Sequence, residues 1–325
     1  MQRLIIFFLV SFAIALVTAP LFIRLLKKLK AGQSILHYVD FHEKKSGTPT
    51  MGGIIFILPL FVLAPFFFRF DNIFTLVILI STLGYALLGF FDDFIKIRTK
   101  NNMGLRAYQK IIGQGGIAIL VAIFYWFVNP EGRILVPFFN VWWDIGFFII
   151  PLVVIILIAT TNSVNLTDGL DGLAGSVSMF YLMFLGMFIF FVSNLETIPE
   201  ADNFTLISMI TMGGLMAYLV FNTNKASIFM GDTGSLYLGG IIATLSIFSF
   251  MGLFILFLGI MFVVSALSDI IQVIYFKKTG GKRVFLMAPY HHHLEKKGFS
   301  EAKIVVIYSI VTVIMGTMLL LTFFS

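Results

Sequence analysis

Cysteine is absent from this chain of 325 residues. Disulfides and thiolate metal sites are therefore excluded, and thiols say nothing about the compartment. Charge is scarce too. Asp, Glu, Lys and Arg make up 12% of the chain, against about 25% in soluble domains. Also missing are the ten-residue stretches of alternating polarity that an outer-membrane barrel needs. No polar mature domain follows the first apolar stretch, so Arg3 and the run after it do not read as a cleaved signal peptide. What the chain does have is apolar surface: 59% hydrophobic residues and a mean hydropathy of +1.01. A soluble globule cannot hide that much, so the solvent is lipid. Nothing suggests a nucleic-acid partner.

A spanning helix needs about 20 mainly apolar residues. The sequence predicts an all-α integral membrane protein, a single polytopic domain over 1–325. About ten spans are expected, near 4–24, 51–68, 72–91, 111–128, 145–161, 173–193, 204–221, 234–250, 253–276 and 304–324. The uncharged run Thr233–Ser268 covers 36 residues. As one helix it would be roughly 54 Å long, against a hydrocarbon core of about 30 Å. It must fold back, near Met251–Gly252, and the ninth span is expected to be broken or kinked.

Ten spans leave two alternating sets of loops. One set holds 19 of the 22 Lys and Arg residues, and the other holds Arg3, Arg69 and Arg133. Basic loops stay in the cytoplasm, so both termini are expected outside. All the unusual polar strings then fall on the cytoplasmic face, and the site is expected there.

"FFDDFIKIR" ends an uncharged run with Asp92 and Asp93. Adjacent helix residues lie about 100° apart, so the two acids need not share one task. A solvated helix end is the plain reading. A carboxylate pair beside a hard cation and phosphates is the functional one. In "NSVNLTDGLDGLAGS", Asn162, Asn165, Asp168 and Asp171 recur every three residues. Glycines there let backbone approach a ligand, and a helix should begin just after, where free N–H groups suit phosphate oxygens. The spacing does not fit an EF-hand. "NTNKASIFMGDTGS" brings Asp232 to a span start and does not match a P-loop. Phe229 either stacks on a base or faces lipid.

In "APYHHHLEKKG" the triplet is internal. Three consecutive imidazoles do not easily converge on one zinc, so the histidines read better as phosphate partners or proton donors. Lys44 and Lys45 precede "GTPTMGG", and contact with anionic lipids is their plain reading.

Together "TPTMGG", "FDDFIK", "NLTDGLDGLA", "FMGDTGS" and "APYHHHLEKKG" resemble the phospho-N-acetylmuramoyl-pentapeptide transferases. These are a branch of the polyprenyl-phosphate N-acetylhexosamine-1-phosphate transferases. The resemblance covers the whole chain in the same order, and the last string separates this branch from relatives that use UDP-N-acetylglucosamine. It implies transfer of phospho-N-acetylmuramoyl-pentapeptide from UDP to undecaprenyl phosphate, giving lipid I and UMP, with Mg²⁺, at a bacterial inner membrane. By matched positions it implies that Asp92 and Asp93 are the family's catalytic acidic pair, Asp232 its magnesium ligand and His291 its active-site histidine. Lys45, Thr50, Asn162, Asn165, Asp168, Gly169, Leu170, Asp171, Asn222 and Phe229 match nucleotide-side or sugar-side positions. Lys96, Lys100 and Lys110 match basic positions for the lipid phosphate, with His292 and His293 as further phosphate or diphosphate contacts.

There is one departure. The family's acid near position 265 is Ser265 here, with Asp269 four residues on and on the same helical face. Tyr290 and Phe299 also replace commoner residues. Two other readings stay open. One is transfer from UDP-N-acetylglucosamine. The other is a secondary transporter, although transporter sites lie near the midplane on broken helices with repeat symmetry. Oligomeric state is not legible, and a symmetric homodimer is the base-rate expectation.

Overall fold

A computed structural model describes residues 1–29, 47–69, 71–99, 104–193 and 198–323. The predicted site residues Lys45 and Lys100 lie outside the described residues. The chain is an all-α integral membrane protein. Among the described residues eight helices are long and apolar enough to cross a membrane. These are α1 (Gln2–Lys28), α3 (Ile73–Thr99), α4 (Ala107–Val128), α5 (Ile149–Thr167, entered through a 3₁₀ turn from Gly146), α6 (Leu173–Val192), α7 (Ala201–Asn222), α10 (Ile260–Lys278) and α12 (Glu301–Leu321). Two further apolar helices are shorter or less apolar. They are α2 (Ile54–Leu63), which tightens into a 3₁₀ turn to Phe66, and α8 (Gly231–Phe248).

The expected reversal near Met251–Gly252 is present. A 3₁₀ turn at Gly252–Phe254 leads into α9 (Ile255–Leu258), and Gly259 interrupts the helix before α10. So the ninth span is broken. The fifth runs beyond 161 to Thr167. Hydroxyls of Thr161, Ser163 and Thr167 donate to the carbonyls one turn back, at 2.8, 2.5 and 2.8 Å, so the polar end of this helix satisfies itself.

α8 is the axis of the bundle. Every residue from Thr233 to Phe248 is buried. It packs against α3 and α5, with α2 and α6 beside it. Small residues make this possible, since close helix approach in lipid relies on them. A Cβ on Gly53 would strike the backbone of Gly234, and one on Gly240 would sit 2.5 Å from the Tyr85 ring. α1 packs on α7, and α12 on α6. The outer faces of α1, α4 and α10 present exposed Ile, Leu, Val and Phe, as a lipid solvent requires.

Two elements were not foreseen. An antiparallel hairpin, β1 (Arg133–Val136) with β2 (Val141–Asp144), caps the end of α4 remote from Lys110, with the Arg133 guanidinium 4.2 Å from the Trp142 ring centroid. A short helix, α11 (Tyr290–Lys296), carries the histidine triplet.

Candidate active site

Four helix ends meet at one end of the bundle: the last turns of α3 and α5 and the first turns of α4 and α8. Each delivers a polar side chain. Asp92 and Asp93, on α3, are buried to 0% and 2% exposure. Asp232 enters from the first turn of α8. Carboxylate oxygens of the three lie within 4.8 Å of one another.

Two ammonium groups sit among them. Lys96 Nζ is 2.5 Å from Asp92 Oδ2, 3.0 Å from Asp232 Oδ2 and 3.9 Å from Asp93 Oδ1. Lys110 Nζ is 3.3 Å from Asp92 Oδ1 and also pairs with Asp232 Oδ2. Two buried carboxylates and a third, half-buried one need such partners, because an uncompensated charge away from water is costly. The backbone N–H of Leu105 donates to Asp92 Oδ1 at 2.8 Å. Asn165, from α5, donates to Asp232 Oδ1 at 2.7 Å and lies 2.7 Å from Ser235 Oγ.

The two neighbouring acids share Lys96 unequally and otherwise face different things. Asp92 meets both lysines at 2.5 and 3.3 Å, whereas Asp93 has Lys96 alone, at 3.9 Å. Asp93 accepts from Asp232 N–H at 3.2 Å, from Thr233 N–H at 2.9 Å and from Thr233 Oγ–H at 2.7 Å. Thr50 is buried beside it, close to Gly231.

The turn between α5 and α6 forms a second wall. Gly172 holds φ +77°, the left-handed conformation that admits a sharp reversal. Asp171 Oδ2 accepts from Ala226 N–H at 3.0 Å, and Asn222 Oδ1 accepts from Gly172 N–H at 3.0 Å. The Asn222 amide also donates to Ile228 O at 2.8 Å. These bonds tie the turn to the segment before α8. Leu170 is buried beneath. Burial, with the Asp232, Asp93 and Asp171 carboxylates nearby, pushes the Asp168 carboxyl well above its ordinary value.

Gly169 abuts the histidines. A Cβ there would overlap His291 Nε2 and stand 3.1 Å from His292 Nε2. His291 is fully buried. His292 pairs with Glu295 at 3.0 Å, and His293 Nδ1 accepts from Leu286 N–H at 3.1 Å. Burial and the adjacent Lys297 hold the His293 imidazole below its usual value. Tyr290 N–H donates to Ser268 Oγ at 2.9 Å, which anchors α11 to α10. Ser265 is buried there and bonds back to Met261 O at 3.0 Å, while Asp269 is half-buried on the same helix.

The predicted residues therefore fall into three groups. Asp92, Asp93, Lys96, Lys110, Asn165, Asp232 and Thr50 are brought together. Asp168, Gly169, Leu170, Asp171 and Asn222 form the adjoining turn with His291 and His292. Asn162 points elsewhere, donating to Gln114 Oε1 at 2.7 Å, and His293 stacks on Tyr290. Phe229 is half-buried, and its backbone pairs with Pro49 and Gly52. Gln114 and Thr233 went unnoticed in the sequence. A Gln in the apolar run "IIGQGGIAIL" was the available signal for the first. The second lies within "FMGDTGS", but its bond to Asp93 was not legible, since that partner is on another helix.

The donor set suits a hard divalent cation, which prefers carboxylate oxygens. Asp92, Asp93 and Asp232 each offer it one oxygen, and of these Asp92 and Asp232 are the two that share both lysines.

Residues 75–250 match the family model for glycosyl transferase family 4, and residues 45–57 match the phospho-N-acetylmuramoyl-pentapeptide-transferase signature 1. A phospho-N-acetylmuramoyl-pentapeptide-transferase of Clostridium botulinum (strain Alaska E43 / Type E3) is 45% identical over 308 residues, covering 94% of this chain and 92% of the relative. One from Thermoanaerobacter sp. (strain X514) is 43% identical, covering 97% and 96%. One from Listeria innocua is 42% identical, covering 93% and 92%.

Proposed function

The chain belongs to the phospho-N-acetylmuramoyl-pentapeptide-transferase family, a group of transferases, and from that premise we propose its reaction. It moves phospho-N-acetylmuramoyl-pentapeptide from UDP to undecaprenyl phosphate, giving lipid I and UMP, in the first membrane step of peptidoglycan synthesis. The protein is multi-pass, and the bacterial cytoplasmic membrane is its proposed place, with the carboxylate cluster on the cytoplasmic face and both termini outside. The single observation that carries the reading is the convergence of Asp92, Asp93 and Asp232 with Lys96 and Lys110 where four helices end. A lipid phosphate sliding in the bilayer and a water-soluble nucleotide can meet there.

Both substrates are anions, and phosphoryl transfer is mostly positioning and charge stabilisation. Mg²⁺ is the proposed cofactor, held by Asp232 with Asp92. When bound it supplies neutralisation of the diphosphate. Lys96 and Lys110, with Lys100, steer and hold the lipid phosphate. Asp92 orients that phosphate or removes its remaining proton. A lipid phosphate oxygen then bonds to the phosphorus that carries the sugar. The bond from that phosphorus to the bridging oxygen breaks, and UMP leaves with the electron pair. Direct attack is favoured over an aspartyl-phosphate because a phosphate is already a nucleophile. The turn at Asn165–Asp171, with Asn222 and Phe229, receives the nucleotide and sugar, and His291, from across Gly169, closes on the diphosphate.

The test is UMP release by purified protein in detergent with undecaprenyl phosphate, with and without Mg²⁺, beside Asp232→Asn. Release with UDP-N-acetylmuramoyl-pentapeptide, lost without the metal or Asp232, is expected. Release only with UDP-N-acetylglucosamine would move the activity to another branch. No release with either donor from well-folded protein would overturn the reading.

A further inference from the structure

We infer that Asp93 is a positioning residue for this reaction: it fixes the first turn of α8 and so aims Asp232, leaving Asp92 as the member of the pair that faces the reacting groups. The inference rests on the function proposed above and divides the acidic pair between two tasks.

The argument starts from the beginning of α8. A helix leaves its first N–H groups without partners, and the residue before it normally supplies a side-chain oxygen. Here that residue is Met230, which makes no side-chain cap bond. The oxygens come instead from α3. Asp93 Oδ2 accepts both the backbone N–H and the hydroxyl of Thr233, and Oδ1 accepts the N–H of Asp232. Oδ2 thus has both lone pairs engaged, and Oδ1 has one, with Lys96 Nζ a further 3.9 Å from it. A carboxylate in this place also meets the positive end of the helix dipole.

The surroundings are cut to allow it. Gly231 holds φ +69°, and a Cβ there would overlap Asp93. One turn before Asp93, a Cβ on Gly89 would overlap the Asp232 carbonyl. The two helices meet backbone to backbone at this point. The consequence for Asp232 is direct. Its own N–H is one of the bonds to Asp93, so the residue whose carboxylate meets Lys96, Lys110 and Asn165 is held at its main chain by Asp93. Asp92, about 100° round the same helix, shares none of these bonds and meets Lys96, Lys110 and the Leu105 N–H.

The test uses the full chain in detergent with Asp93→Asn, Thr233→Val, Thr233→Ser and Asp92→Asn. Hydrogen exchange over residues 229–236 reads the cap. Mn²⁺ binding, followed by electron paramagnetic resonance, reads the aim of Asp232. UMP release against pH reads turnover. Asp93→Asn and Thr233→Val should both speed exchange and weaken Mn²⁺ binding, roughly 3- to 30-fold, the range that loss of a helix cap spans. Turnover should fall in step, with the pH profile unmoved, and Thr233→Ser should recover wild-type values. Asp92→Asn should leave exchange as it is. The inference fails if Asp93→Asn abolishes turnover or removes a limb of the pH profile while exchange and Mn²⁺ binding stay wild-type. It fails equally if Thr233→Val is silent in all three readouts. If the wild type itself releases no UMP, the proposed function falls, and the exchange arm still decides whether Asp93 caps α8.

Discussion

Asn165 reaches from the last turn of α5 to donate to Asp232 Oδ1 at 2.7 Å, so one amide sets which oxygen of that carboxylate stays turned toward Lys96 and Lys110. Asn165→Asp would replace this donor with a second anion at hydrogen-bond distance. Like charges that close repel strongly in a site shielded from water. The metal-free variant is expected to melt below the wild type, and Mg²⁺ to raise its melting temperature by more than it raises that of the wild type. Thermal scans of both proteins with and without Mg²⁺ check this, and equal Mg²⁺-induced shifts would contradict it.

Asp168 gives a pH-dependent expectation. Its carboxyl is held above its ordinary value of 3.8, chiefly by burial. A carboxyl with a raised folded-state pKa favours folding while protonated, and that contribution is lost as pH rises from the unfolded value through the folded one. Asp168→Asn removes the loss. In metal-free protein the variant should therefore melt higher than the wild type near pH 7, and the two should converge toward pH 4. UMP release by the variant should fall, the usual cost of relaxing a strained site. A melting difference that does not change with pH would refute the assignment.

Gly169→Ala tests the contact with the histidine helix. The added methyl would overlap His291 Nε2. Overpacking of this kind costs about 1–3 kcal/mol, and the ring or the turn must move. If about 1.4 kcal/mol of that appears in the transition state, turnover drops roughly tenfold. Steady-state UMP release checks the drop, and a wild-type rate would show that α11 shifts without consequence.

Glu200 offers a contrast at the other end of α3. Its two carboxylate oxygens accept the N–H groups of Phe74 and Thr75 at 3.1 and 2.8 Å. Glu200→Ala should lower stability by about 0.5–2 kcal/mol, as cap removal does, and leave the rate of UMP release per folded molecule unchanged. A changed rate would mean that the two ends of α3 are coupled.

The spans were legible because lipid demands continuous apolar runs, and those runs are plain in α1, α3 and α12. The reversal before α9 was legible for the same reason, since Thr233–Ser268 is too long to be one helix. The hairpin was not. Its strands, "RILV" and "VWWD", fall in the stretch left between the expected fourth and fifth spans, and neither alternates polar with apolar residues, so no strand period marks them. The acids of the site stood out because charge is rare. Their division of labour did not, because Asp93 and Thr233 are 140 positions apart and only the packing of α3 on α8 joins them. The pairing of Gln114 with Asn162, 48 positions apart, was hidden in the same way.

The enclosure of α8 bears on how the protein is made. This helix is not among the eight that are apolar and long enough to span unaided. Its sequence opens with Gly, Asp and Thr and keeps Gly, Ser and Thr throughout. Its acid and its small polar residues oppose entry into hydrocarbon. During synthesis it emerges after α3 and α5, whose faces and carboxylate cap await it. Its retention in the bilayer therefore depends on neighbours already inserted, and the cluster around Asp232 comes into being only at that late moment of biogenesis.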